Sequence, residues 1–113
     1  MIPLTTMKKS TIQFDIELDH NNVPENIHWS ASDGAAQSEA KAIMLAVWDK
    51  QENNTLRIDL WNKDMTVDEM KQFFHQTLLT MSDTYHRATG DEKMTLTMRD
   101  FCDYFAEKTG IRG

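Results

Sequence analysis

The chain has 113 residues, 40% hydrophobic and 27% charged, enough for one ordinary core without a stapling metal or disulfide. Its formal charge of −6 repels phosphate backbones and anionic membrane surfaces, which sets general nucleic-acid binding aside. The single cysteine, Cys102, excludes an internal disulfide.

The opening residues, MIPLTTMKKS, hold no apolar run of signal-peptide length, and no window approaches the roughly 20 apolar residues of a membrane span. A cytoplasmic protein without membrane insertion is expected. MKKSTI from Met7 reads as a natural start, so residues 1–6 are expected to be a flexible extension and residues 7–113 a single α+β domain.

STIQFDIEL, from Ser10, alternates strictly, with Ile12, Phe14, Ile16 and Leu18 on one side; this is a strand with one buried face. Asp19–Asn22, DHNN, is a turn, because these side chains bond their own backbone and tolerate left-handed conformations. Val23–Ala31 is a second strand opened by Pro24, and the pair reads as a hairpin. Ser32–Gly34 breaks the strand and can cap a helix. From Ala35 to about Asp49 the apolar spacing of Ala36, Ala40, Ile43, Met44 and Val47 predicts a first helix. After a polar loop at Lys50–Asn54, Leu56, Ile58 and Leu60 alternate with Arg57, Asp59 and Trp61 in a third strand.

Thr66-Val67-Asp68-Glu69 fits a capping box ahead of a helix whose apolar stripe is Val67, Met70, Phe74, Leu78, Met81 and Tyr85. Thr89-Gly90-Asp91-Glu92 matches the box again. It opens a final helix carrying Met94, Met98, Phe101, Cys102 and Phe105, with Gly110 as its C-cap. The order β-β-α-β-α-α gives a two-layer α+β sandwich. A three-stranded antiparallel sheet, the first strand at its centre, would have its helices on one face.

The residues that could carry chemistry are sparse. His75 and His86 are eleven residues apart, about 16 Å along one helix, too far to share a metal ion; His75 belongs with Asp68, Glu69 and Lys71 on the solvated side. Cys102 sits in an apolar stripe, where a free cysteine acts as a small buried hydrophobe. No GxSxG serine and no glycine-rich phosphate loop occurs. The reading is therefore non-enzymatic, with no metal and no cofactor. Trp61 stands out, a large aromatic beside Arg57 and Asp59 on the outer side of its strand. It either folds over a neighbouring loop or anchors a protein partner, as exposed tryptophans do at binding hot spots. Trp48 poses the same choice. These four, Trp61, Arg57, Asp59 and Trp48, form the candidate interaction site.

Three segments together, Met7–Asp33, Glu39–Leu78 and Asp91–Ile111, resemble the gliding-motility protein GldC family of the Bacteroidetes. Their most specific part is LRIDLWNKDMTVDEMKQFFHQTL, Leu56–Leu78. The resemblance implies a small cytoplasmic accessory protein of gliding, with no catalytic residue, cofactor or defined partner to carry over. A protein–protein interaction module of the motility or secretion apparatus is one reading; an edge strand could pair with that partner or with a second copy, which leaves a homodimer open. The other is a small-ligand or enzymatic domain with a site between sheet and helices, in a cleft lined by Trp29, Trp48 or His75.

Overall fold

The computed structural model describes residues 7–33 and 36–111, so the extension expected over residues 1–6 lies outside the described residues. The elements run β1 (Ile12–Leu18), β2 (Pro24–Ala31), β3 (Ala36–Ala40), β4 (Ala42–Trp48), β5 (Thr55–Trp61), α1 (Val67–Thr89) and α2 (Glu92–Thr109). They fall into two compact units, a strand unit over Met1–Met65 and a helical unit over Thr66–Gly113.

In the strand unit, β1, β2 and β3 form one antiparallel sheet in that order, and β4 and β5 form a second. The β1–β2 hairpin follows its turn chemistry. The Asp19 carboxylate accepts from the N–H groups of Asn21 (2.8 Å) and Val23 (3.0 Å), and Asn22 takes the left-handed position at φ 62°. The β4–β5 turn repeats the device: Asp49 accepts from Gln51 and Glu52 N–H, and Asn53 sits at φ 54°. In both, a carboxylate replaces the missing ladder partners and an asparagine absorbs the reversal.

Three expectations fail here. The helix expected from Ala35 to Asp49 is instead β3 and β4, and the element order becomes five strands followed by two helices. Alanine, glutamine, glutamate and lysine favour helix locally. Ladder pairing overrides that preference, because β3 satisfies the second edge of β2 and β4 pairs with β5 along its whole length. The first strand is accordingly an edge and β2 is central. The segment read as the third strand of the first sheet, β5, belongs to a sheet of its own.

Pairing of Ile16 with Ile27 and of Ile27 with Ala40 places an apolar row across the first sheet. Ile27 is its buried centre, 1% exposed. The opposite face carries the row Asp15, His28, Glu39. Lys63, just beyond β5, reaches back to Asp19 at 2.6 Å. That ammonium, with the Val23 and Asn21 N–H groups, holds the Asp19 carboxyl below the ordinary carboxylate range.

The helical unit begins with the expected capping box: Thr66 Oγ1 accepts from Glu69 N–H (3.0 Å), and Glu69 Oε1 accepts from Thr66 N–H (3.0 Å). The second match is not a box. Thr89 ends α1, Gly90 closes it in the left-handed region at φ 69°, and Asp91 caps α2 by accepting from Met94 N–H. Asp91 also accepts from the Tyr85 hydroxyl, which keeps that phenol protonated beyond its usual range. Gly110 ends α2 as expected.

The helices run antiparallel, tied by Lys71 Nζ to the Thr109 carbonyl (3.4 Å), His75 stacked on Phe105 (6.3 Å between centroids) and Arg99 paired with Asp83 (2.9 Å). The most buried residues of the seam are small: Ser82, Thr95, Cys102 and Ala106. Their size lets the backbones approach closely, and the hydroxyls of Ser82 and Thr95 bond to carbonyls of their own helices. His75 therefore lies half-buried in the seam rather than on the solvated side, and Val67, Phe74 and Met81 of the expected core stripe are exposed. An apolar stripe does not tell a helix which neighbour it meets; here residues 71, 75, 78, 82 and 85, spaced four and three apart, face α2.

Candidate interaction face

The four residues singled out by the sequence share one surface. The β4–β5 register pairs Trp48 with Thr55, Ala46 with Arg57, Met44 with Asp59 and Ala42 with Trp61. Directly opposed residues project to the same side, so Trp48, Arg57, Asp59 and Trp61 stand on one face of the ribbon. The other face is wholly apolar, with Val47 against Leu56, Leu45 against Ile58 and Ile43 against Leu60. Segregation by side is what makes the tryptophans conspicuous: the strand has an apolar face already, and they are not on it.

Trp61 is 56% exposed and Trp48 is 65% exposed. They stand at opposite ends of the ribbon, roughly 20 Å apart for six strand residues. Between them Arg57 donates to Asp59 at 2.7 Å, with both side chains about half exposed. A pair this open contributes little to folding; it neutralises the centre of the face while leaving hydrogen-bonding groups at the surface. The arrangement, apolar aromatic anchors around a satisfied polar centre, suits docking of a protein surface.

Sequence reading misses the β4 half of the face, Met44 and Ala46, because the apolar spacing from Ala35 to about Asp49 predicts a helix. The signal was present. Two seven-residue runs with matched apolar positions flank the turn residues Asp49–Asn54, and that is a hairpin pattern.

Other chemically suggestive groups are already engaged. Trp29 lies half-buried on β2, opposite Phe14 and Ser38, while His75 belongs to the helical seam. Cys102 is 1% exposed, and burial pushes its thiol pKa up, so the thiolate is disfavoured. An open hollow of about 390 Å³ on the first sheet is lined by Asp15, Glu17, Asn26, Ile27, His28 and Glu39. A second, of about 270 Å³, includes the buried Asn62, whose side-chain oxygen accepts from Asp64 N–H.

Among the described residues no helix is long and apolar enough to cross a membrane. Comparison with curated proteins and with solved structures finds no match. A protein-family model described as gliding motility-associated protein GldC-like matches residues 24–111. That span holds β2 to α2 and the whole candidate face, well over half of the chain. The chain belongs to the GldC-like family of gliding motility-associated proteins.

Proposed function

We propose that this protein is a cytoplasmic, non-catalytic adaptor of gliding motility, and that the β4–β5 face docks a protein component of the motility or secretion apparatus. The observation that carries this reading is the placement of Trp48 and Trp61 on one exposed face, opposite the apolar side of the same ribbon. Exposed tryptophans are enriched at binding hot spots, where a partner covers them. Arg57 and Asp59 supply polar contacts at the centre and set register with the partner. The net charge of −6 favours a partner with a basic docking surface over a nucleic acid.

The test is a cross-linked pull-down from a gliding host, wild type against the folded variant Trp48→Ala/Trp61→Ala, read by mass spectrometry. The reading expects one motility or secretion component to be enriched by wild type and lost with the variant. Equal recovery of that component by both forms would move the docking site elsewhere.

A further inference from the structure

Among the described residues the outer edge of β5 has no strand partner. Two hydrogen bonds set the phase of the β4–β5 ladder: Asp49 N–H donates to the Asn54 carbonyl (2.9 Å) and Asn62 N–H to the Lys41 carbonyl (2.8 Å). Both extend the register that pairs Trp48 with Thr55 and Ala42 with Trp61. Hydrogen-bonded positions alternate along an antiparallel ladder, so the even-numbered residues of β5 bond to β4. The odd-numbered ones, Thr55, Arg57, Asp59 and Trp61, aim their N–H and C=O groups at the other edge. Among the described residues no strand pairs with that edge. It is seven residues long, with neither proline nor bulge to protect it.

We propose that β5 pairs antiparallel with β5 of a second copy about a two-fold axis at Ile58, giving a continuous β4-β5-β5-β4 sheet. The sequence of the strand, TLRIDLW, is complementary to itself when reversed about that residue. Arg57 comes opposite Asp59 of the second copy, Leu56 opposite Leu60, and Thr55 opposite Trp61. All the outward-pointing residues then fall in hydrogen-bonded pairs, and Ile58 meets its own copy in a non-hydrogen-bonded pair. This is the register that pairs all seven residues of the strand. Shifting the axis by one residue sets Arg57 against Arg57 or Asp59 against Asp59, and like charges directly opposite are destabilising. A half-residue shift sets outward-pointing groups against groups already bonded to β4.

The outer edges of β1 and β4 lack this property. β1 carries Asp15 and Glu17 without a cation, so its antiparallel self-pairing brings acids together. β4 carries no charge to fix a register. The half-exposed Leu56 and Ile58 gain apolar neighbours from the second copy. Trp61 enters the cross-strand row that holds Thr55 and Trp48 of the other chain, so dimerisation doubles the tryptophan face without covering it. The dimer does not depend on any adaptor role.

The test uses the full chain in sedimentation velocity over a concentration series, with circular dichroism on the same samples. Wild type should sediment at twice 13.1 kDa. Arg57→Asp or Asp59→Arg alone should weaken dimerisation roughly tenfold or more, because the symmetry axis repeats each like-charge contact. The double variant Arg57→Asp/Asp59→Arg should restore it. Register is read separately by oxidation: Ile58→Cys should form a disulfide-linked dimer, since facing non-hydrogen-bonded positions are about 4.5 Å apart between Cα atoms, and Asp59→Cys should not. A monomeric wild type, a folded double variant that stays monomeric, or cross-linking through Asp59→Cys in preference to Ile58→Cys would overturn the proposal.

Discussion

Replacing Trp61 by alanine separates an interaction residue from a core residue by its cost. Trp61 is 56% exposed, so somewhat under half of its surface is covered within the chain. A tryptophan buries at most about 250 Å², which leaves roughly 100 Å² withdrawn from water here. At about 25 cal/mol per Å² this is about 2.5 kcal/mol, an upper bound because the unfolded chain already covers part of it. Domains of this size hold about 5–15 kcal/mol, so the variant stays folded. Urea unfolding at one fixed protein concentration measures the loss, and the concentration is fixed because self-association shifts the midpoint. A loss of about 4 kcal/mol or more, the range of a truncated core aromatic, would refute the assignment of Trp61 to a docking face.

Three further outcomes follow from the same structure. Ile27→Ala removes the 1%-exposed centre of the first sheet and should cost about 2–5 kcal/mol in urea unfolding; a loss below about 1 kcal/mol would place the strand core elsewhere. Gly90→Ala adds a Cβ that meets nothing within 4 Å, so its cost is the left-handed backbone alone, about 1–2 kcal/mol; an unchanged melting temperature would show that the α1–α2 junction adopts another conformation. The Asp19 carboxyl is held below its ordinary range by Lys63 first and by backbone N–H groups next. Its folded pKa is depressed, so its contribution is present above the ordinary aspartate value of about 4 and is lost as pH falls through the folded value. Lys63→Met should therefore lose less stability than wild type between neutral and acid pH, and parallel pH profiles would contradict the linkage.

Legibility of the fold tracked how local its causes are. β1, β2, β5 and the Thr66 cap are written in short-range pattern, namely strict alternation, an Asp-led turn and a Thr-x-x-Glu box. Residues 36–48 were not readable that way. Their local preference is helical, and what makes them strands is hairpin pairing with their chain neighbours, β3 with β2 and β4 with β5. The helical seam was hidden for a different reason. Ser82 and Thr95 are polar, yet both are among the most buried residues because each hydroxyl is satisfied by its own helix. A hydrophobic stripe misses such positions and instead marks Phe74 and Met81, which are exposed.

The candidate site was partly legible despite the error at β4. Alternation along β5 alone sets Arg57, Asp59 and Trp61 on the side away from Leu56, Ile58 and Leu60, so three members needed no tertiary information. Trp48 joins them only through the register with Thr55. The self-complementarity of β5 is visible in TLRIDLW, but it acquires meaning only once the hydrogen-bond phase shows which backbone groups point outward.

The central claim, that the β4–β5 face is where a motility or secretion component docks, is tested most directly by site-specific photo-cross-linking in gliding cells. The photoreactive residue is placed in turn at Trp48, at Trp61 and at His28 on the polar face of the other sheet. The account predicts one shared adduct from positions 48 and 61, heavier than a self-dimer and containing a motility or secretion protein, and none from position 28. That adduct arising from position 28 and not from 48 or 61 would contradict it.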